Sequence, residues 1–108
     1  MVGKLFKIIF SKKANQQLRE ISNYHTRADS PATGQKIRRG IVDQTKTLRR
    51  FPNSKPLLPD SEDLEYEARY TKAWSYKIIF RVFDPTRIVR ILSIRHDKEN
   101  PKEIEKDL

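Results

Sequence analysis

The chain has 108 residues, a formal net charge of +9 and no cysteine. Its length suits one domain with a single modest core, and the lack of cysteine excludes disulfides and thiolate metal sites. No stretch is apolar for long enough to span a bilayer, so we expect a cytoplasmic protein whose residues 1–108 form one domain.

The positive charge is concentrated in two parts of the chain. Residues 1–59 carry 13 Lys and Arg against 3 acidic residues, and residues 73–96 carry 5 against 1. Residues 60–72, in contrast, carry 2 against 5. Such a field favours a polyanionic partner, either nucleic acid or an acidic protein. The alternative is a basic, solvated surface with no such partner.

A strand and a helix are predicted at the start of the chain. Between Leu5 and Phe10 only Lys7 is polar, which predicts a strand over Lys4–Phe10. Ser11 can then cap a helix that runs to about His25, where the histidine is a capping or surface residue. The apolar stripe of this helix has helical spacing and consists of Ala14, Leu18, Ile21 and Tyr24.

A second helix begins at Ser30-Pro31, because serine is a favoured cap and proline a favoured first helical residue. Its buried stripe consists of Ile37, Ile41, Thr45 and Leu48, and it ends near Phe51-Pro52. Gly34 and Gly40 each weaken it by about 1 kcal/mol relative to alanine. Close packing against the first helix would explain both glycines, and the two helices are predicted to form an antiparallel hairpin over a sheet.

An acidic loop and a further strand follow. Three prolines and the acidic residues of 60–63 predict an irregular surface loop over residues 52–64. Over Tyr66–Lys72, apolar and aromatic residues alternate with polar ones, which predicts a strand with one solvated face that includes Arg69. Near the end of the chain, Asn100-Pro101 has the form of a cap for a short terminal helix.

The stretch from Ser75 to His96 predicts two strands joined by a tight turn at Asp84-Pro85-Thr86. In the first strand, one face is wholly apolar or aromatic and should pack on the helices. It consists of Tyr76, Ile78, Phe80 and Val82. The opposite face carries Lys77, Ile79, Arg81 and Phe83.

In the second strand, Val89 and Ile91 are taken to face the helices. The opposite face then carries Arg90, Leu92, Ile94 and His96. In that register three cations and a histidine surround an aliphatic strip made of Ile79, Leu92 and Ile94. Arg95 lies on the other side of the sheet unless a bulge at the strand end redirects it.

This mixture of side chains supports two interpretations. Cleavage of RNA by its 2′-hydroxyl needs proton transfer and charge stabilisation, for which Lys77, Arg81 and His96 are the candidate catalytic residues. Further cations that can contact nucleic acid are Arg69, Arg90 and Arg95. The same face also suits an acidic, amphipathic partner helix, and a single histidine at a strand end is more often structural than catalytic.

Four aromatic residues can either stack on nucleic-acid bases or fill the core. They are Tyr66, Tyr70, Trp74 and Tyr76, of which Trp74 is the only tryptophan. No metal-site spacing, glycine-rich phosphate loop or serine–histidine–acid arrangement is present, so no metal and no cofactor are predicted.

The predicted fold is α+β in the order β-α-α-β-β-β. A two-helix hairpin packs on one face of a small, mainly antiparallel sheet, and a short C-terminal helix follows. This order, the SYKIIFRV and RIVRILSIRH strands and the stripe of the first helix resemble the RelE/ParE toxin superfamily of bacterial type II toxin–antitoxin modules. The resemblance extends from Phe6 to about Asp97.

The resemblance implies a small cytoplasmic toxin that arrests growth and is neutralised by a cognate antitoxin, which wraps it with a helix or an extended segment. The antitoxin is expected on the face that carries Ile79, Leu92 and Ile94. Two mechanisms stay open: RelE-like toxins are ribosome-dependent endoribonucleases that cut mRNA, and ParE-like toxins poison DNA gyrase. The alternative without the resemblance is a non-toxic, basic nucleic-acid-binding module.

Details of the sequence point to both branches. RelE-like nucleases place an arginine early in the third strand, where this chain has Lys77, and basic, histidine or tyrosine residues after the last strand, where it has residues 96–99. Lysine lacks the bidentate fork of arginine, and two of those four residues are acidic. The Phe80-Arg81-Val82 end of the third strand and the Ser30-Pro31-Ala32 helix entry are similar to ParE-like chains.

Overall fold

The structure, a computed structural model, describes residues 5–98, and within them it contains four strands and two long helices. In chain order these are β1 (Lys7–Phe10), α1 (Lys12–Ala28), α2 (Pro31–Lys46), β2 (Arg69–Ala73), β3 (Tyr76–Phe83) and β4 (Ile88–His96). Two single 3-10 turns, Thr47–Arg49 and Pro52–Ser54, follow α2. The order β-α-α-β-β-β is confirmed. The predicted terminal helix at Asn100 lies outside the described residues.

Serine caps begin both helices, as predicted. The Ala14 amide donates to Ser11 Oγ over 3.0 Å, and the Thr33 amide donates to Ser30 Oγ over 3.2 Å. The first helix continues three residues beyond the predicted end at His25. Within residues 5–98, neither this helix nor the second is long and apolar enough to cross a membrane.

The sheet has the strand order β1-β4-β3-β2. β1 is parallel to β4, and the other two pairings are antiparallel, so the prediction of a mainly antiparallel sheet is confirmed. Residues 56–58 pair with the start of β2 along its outer edge. The Leu58 amide donates to the Ala68 carbonyl over 2.7 Å, and the Tyr70 amide donates to the Pro56 carbonyl over 3.1 Å. This pairing covers the first residues of an edge that could otherwise accept a foreign strand.

The helices pack on one face of the sheet, and the main core lies between the two layers. Its fully buried members include Ala14, Ile41, Leu48, Ile78, Phe80, Val89 and Ile91. The predicted apolar face of β3 is therefore the face that the helices cover. Burial of these apolar side chains is the main contribution to the stability of a domain of this length.

A smaller second core lies on the opposite face of the sheet, which we call the outer face. Leu58, Ala68 and Ile79 are buried there, and they are joined by Leu64, Tyr66, Tyr70 and Leu92. The segment between α2 and β2, predicted as an irregular surface loop, thus supplies leucines that cover part of the sheet. Its prolines and acidic residues are typical of a solvated loop and give no sign of this packing role.

The two glycines of α2 have different neighbours. A Cβ on Gly34 would lie 2.7 Å from the carbonyl oxygen of Ser22 and would overlap Thr26, so this glycine allows close approach to α1, as predicted. A Cβ on Gly40 would instead overlap Nε1 of Trp74, in the turn between β2 and β3. The prediction that Gly40 packs against the first helix is therefore wrong.

Candidate functional site

A β-bulge in β4 decides which residues of the hairpin share a face. Ile79 of β3 pairs with Ser93, whereas its neighbour Phe80 pairs with Ile91. Leu92 is the extra residue between these two pairs. Because side chains alternate between faces along a strand, one extra residue reverses the assignment of every residue that follows it.

The bulge makes part of the predicted outer face wrong. Ile94 pairs with Ile78 and lies in the main core, and His96 pairs with Tyr76 on the side of the helices. Arg95 pairs with Lys77 and so belongs to the outer face. The prediction assumes that side chains alternate between the two faces without interruption from Ile91 to His96. The extra residue Leu92 breaks this alternation.

Lys77 is the most buried cation of the outer face, with a side chain 10% exposed. Its ammonium lies 4.0 Å from Oδ1 of Asp97 and 4.9 Å from the ring centroid of Tyr70. Lys72 reaches the same Oδ1 at 3.3 Å. Asp97 thus neutralises charge directly after β4, where a phosphate-binding site would need free cations.

Arg81 and Arg90 lie directly opposite each other on β3 and β4. The guanidinium of Arg81 lies between two rings, 4.4 Å from the centroid of Tyr66 and 4.4 Å from that of Phe83. Arg90 is exposed. The rings fix Arg81 in place and partly shield it from water, which is a typical cation–π arrangement.

Arg69 lies apart from these cations. It pairs with Phe80, on the helix side of the sheet, and its Nη1 donates to the Lys55 carbonyl over 2.6 Å. Its Nη2 also lies 3.6 Å from Oε1 of Glu67. These contacts hold the segment before β2 against the sheet, so the structure gives Arg69 a structural position away from the outer-face cations.

The three aliphatic residues predicted to bind the antitoxin do not form one exposed strip. Ile79 is fully buried beneath Leu58, and Ile94 is 2% exposed in the main core. Leu92 alone of the three is partly accessible, at the bulge. A partner that docks on the outer face therefore meets mainly charged and aromatic side chains there.

Rings and histidines gather at the other side of the sheet, in a cleft of about 800 Å³ between the end of α1 and the β2–β3 turn. We call it the aromatic cleft and define it by Tyr24, His25, Trp74, Tyr76 and His96. Neighbouring rings meet edge to face along the series Tyr24, His25, Tyr76, His96, with centroids 5.1, 6.0 and 5.8 Å apart. Edge-to-face contacts of this length are favourable.

Hydrogen bonds fix the polar atoms of this cleft. Nε2 of His25 lies 2.8 Å from Oη of Tyr76, in a hydrogen bond whose donor depends on the histidine tautomer. The Lys98 amide donates to Nδ1 of His96 over 3.2 Å. Burial raises the pKa of the Tyr76 phenol, with a smaller contribution from Tyr24. In the described part of the chain, no three His, Cys, Asp or Glu side chains are grouped closely enough to hold a metal ion.

From the sequence, His25 is expected to be a capping or surface residue and Tyr76 to face the core. The sequence does indicate that Tyr76 lies near the second histidine. Counting strand pairs outward from the turn at Asp84 brings Tyr76 opposite Arg95, next to His96, and the bulge then moves the pairing to His96 itself. Placing His25 beside them also requires the orientation of the helix hairpin on the sheet, which periodicity alone does not give.

A family model described as "ParE toxin of type II toxin-antitoxin system, parDE" matches residues 8–101. This match spans β1 through β4, with both helices between them, and therefore covers all the elements discussed above. No curated protein matches the chain by sequence.

Solved structures with a similar fold cover most of the chain. The chromosomal ParDE toxin–antitoxin system of P. aeruginosa contains a chain that is 22% identical, with a TM-score of 0.71, over 85% of this chain and 96% of that one. A mutant of E. coli toxin RelE in the free state is 16% identical, with a TM-score of 0.63, over 94% and 93%. The archaeal RelE–RelB complex from Pyrococcus horikoshii OT3 gives 14% identity and a TM-score of 0.60 over 89% and 99%.

Proposed function

The chain belongs to the ParE toxin family of type II toxin–antitoxin systems, and we propose that it arrests growth by binding DNA gyrase. In this proposal residues 1–108 act as one cytoplasmic toxin domain that needs no catalytic residue, no metal and no cofactor. Its activity depends on the surface that it presents to the target protein.

One observation carries the choice of mechanism: the three candidate catalytic side chains lie apart. His96 is on the helix side of the sheet beside Tyr76, whereas Lys77 and Arg81 are on the outer face. General acid–base catalysis requires its groups within hydrogen-bond reach of one reacting phosphate. With Lys77 and Arg81 on one face of the sheet and His96 on the other, the three side chains do not converge on one such point in the structure.

The pairing of Lys77 with Asp97 supports the same choice. A lysine that stabilises a developing phosphorane must present its charge to the substrate, but this ammonium is nearly buried and lies near a carboxylate. Arg81 is likewise held between two rings. Both cations therefore have structural partners, which a gyrase-binding protein can keep throughout its activity.

We also propose that a cognate antitoxin neutralises the protein. The ParDE and RelE–RelB structures are toxin–antitoxin assemblies with this fold, and the net charge of +9 favours an acidic partner segment. The outer face, with Arg90 exposed and Leu92 partly exposed, is the surface we assign to it. The carboxylates of such a segment can form ion pairs with the arginines, and one of its apolar side chains can contact Leu92 at the bulge.

The test compares gyrase and ribosome assays on the same purified protein. We expect excess protein to inhibit gyrase supercoiling and to leave mRNA on translating ribosomes intact. We would also test His96→Ala and Lys77→Met, two substitutions that would abolish the activity of a nuclease. Both variants are expected to keep the inhibition of gyrase, provided that circular dichroism shows them folded. Unaffected supercoiling together with cut mRNA would replace the proposal by ribosome-dependent cleavage.

Expression in cells separates both mechanisms from a non-toxic nucleic-acid-binding module. The proposal predicts that induced expression without an antitoxin stops DNA replication before protein synthesis. Normal growth at a verified level of soluble protein would contradict any toxin function.

A further inference from the structure

Two large rings in the aromatic cleft are exposed to solvent, although the core of the domain is otherwise well packed. Tyr24, at the end of α1, is 58% exposed, and Trp74, in the β2–β3 turn, is 52% exposed. Both border the same cleft of about 800 Å³. Exposed rings that share one concave surface are typical of a binding site rather than of scattered surface residues.

Trp74 has an unusual backbone conformation, and its ring contacts α2. Its backbone φ is 56°, a left-handed conformation at the first position of a two-residue hairpin turn, where glycine is usual. Its indole edge fits over Gly40 of α2, and the Lys36 ammonium lies 5.5 Å from the ring centroid. A non-glycine residue kept in this conformation is a reason to look for function, since most other residues would avoid the strain.

Hydrogen-bonding and charged groups surround the two exposed rings. The hydrogen-bonded pair of His25 and Tyr76 lies deeper in the cleft, with His96 beside it. Among residues 5–98, Arg27 and the acidic residue Glu20 border the cleft, and the Lys36 ammonium lies 5.5 Å from the Trp74 ring centroid. The described part of the cleft therefore combines flat apolar surfaces with two nearby cations and one carboxylate.

We propose that the aromatic cleft binds a nucleotide, with its base stacked on the exposed rings of Trp74 and Tyr24 and its phosphate near Arg27. Stacking on aromatic side chains tolerates any base, and neighbouring cations attract the phosphate, as in proteins that bind single strands without sequence preference. An acidic peptide without aromatic residues satisfies the cations but has no planar group to stack on the rings. This site lies on the helix side of the sheet. Nucleotide binding there would be a further property of the protein beyond the proposed function, and it does not depend on gyrase binding.

The only tryptophan of the chain lies in the cleft and reports on its occupancy. We would titrate the purified full-length chain at low salt with a six-nucleotide single-stranded DNA and record tryptophan fluorescence. We expect saturable quenching that weakens as salt rises. Adenosine monophosphate in a parallel titration separates the two sources of the ligand: quenching by both identifies a free nucleotide as sufficient, and quenching by the oligonucleotide alone identifies a strand.

Two variants test whether the quenching of tryptophan fluorescence arises from binding in the aromatic cleft. Tyr24→Ala removes an exposed ring without opening the core, and we expect it to weaken oligonucleotide binding about fivefold or more. Phe51→Ala is the matched control, because Phe51 is also an exposed ring, 79% accessible, but does not border the cleft. It should bind as the parent protein does.

Three results would overturn the proposal. These are the absence of quenching by either nucleic-acid probe, equal quenching by polyglutamate of matched charge, and unchanged affinity in Tyr24→Ala. Equal quenching by polyglutamate would assign the cleft to an acidic protein. Gyrase inhibition measured on the same variants keeps the two proposals separate, since either result can occur without the other.

Discussion

His25 and Tyr76 are 51 residues apart in the chain, yet Nε2 of the histidine lies 2.8 Å from Oη of the tyrosine. This hydrogen bond joins the last turns of α1 to the first residue of β3. It therefore fixes one end of the helix hairpin against the sheet, at the place where the apolar core ends and the cleft begins.

The first prediction concerns the alkaline stability of the fold. Burial raises the pKa of Tyr76 above the ordinary value of about 10. The unfolded chain therefore loses this proton first, so the contribution to stability is complete below about pH 10 and declines as the pH rises toward the folded pKa. Tyr76→Phe should unfold more easily at pH 7, by about 1 kcal/mol for the lost hydrogen bond, and should lose less stability above pH 10.

Urea unfolding of both proteins at pH 7 and at pH 10.5 measures the two effects. NMR titration of the tyrosine rings gives an independent check, because the resonance missing from Tyr76→Phe identifies this residue. An equal alkaline loss of stability in the two proteins would contradict the assignment.

The second prediction concerns Asp97, which lies between two lysines just after β4. Asp97→Asn leaves the nearly buried ammonium of Lys77 with the Tyr70 ring as its remaining described contact, and we expect a loss of about 1–3 kcal/mol. Lys72→Met is the control, because the Lys72 side chain is 52% exposed and its ion pair should contribute less than about 1 kcal/mol. Chemical denaturation at low and high salt measures both, and equal losses would refute the distinction.

The third prediction uses the same substitution at two positions of α2. Gly34→Ala forces a methyl group toward the Ser22 carbonyl, which belongs to the backbone of α1 and cannot move alone, so we expect destabilisation by about 1–3 kcal/mol. Gly40→Ala displaces the exposed side chain of Trp74, and the gain in helix propensity offsets much of the cost.

Thermal unfolding and tryptophan fluorescence together distinguish the two glycine variants. The Gly40 variant should unfold near the parent temperature but show an altered emission of Trp74. The Gly34 variant should unfold earlier with its native emission unchanged. The reverse pattern would mean that the Trp74 ring, and not the approach of the helices, limits the packing of α2.

The fourth prediction compares the two arginines that face each other across β3 and β4. Arg81→Gln removes a guanidinium held between Tyr66 and Phe83, and we expect a loss of about 1–2 kcal/mol. Arg90→Gln also relieves a like-charge pair and should change stability by less than about 0.5 kcal/mol in either direction. If both variants unfold at the same urea concentration, the rings do not stabilise Arg81.

The architecture could be predicted because local signals agreed with the tertiary fold. Both serine caps, the apolar face of β3 and the Ala14, Leu18 and Ile21 positions of the α1 stripe depend on neighbours in sequence, and the structure has them. Tyr24, the last predicted member of that stripe, is exposed instead. Residues that depend on long-range contacts were less predictable. The packing of Leu58 onto Ile79 joins segments that no periodicity connects, and the partner of Gly40 depends on how the helix hairpin lies on the sheet.

The candidate site was harder to predict for a similar reason. Lys77 and Arg81 were assigned to the outer face from alternation in β3, which has no extra residue. Ile94 and His96 were assigned from alternation in β4, which does. A bulge in an apolar strand has little sequence signature when the extra residue is a leucine, because leucine suits either face of this sheet.

The extra residue Leu92 shifts the alternation of β4 by one position. Side chains alternate between the two faces both before and after it, but the faces are exchanged beyond Leu92, so that His96 rather than Arg95 lies beside Tyr76. When β4 is aligned with the last strand of a relative that lacks the bulge, positions beyond Ile91 must be offset by one before their faces are compared. Without that offset, a residue that borders the aromatic cleft would be matched to one on the opposite side of the sheet.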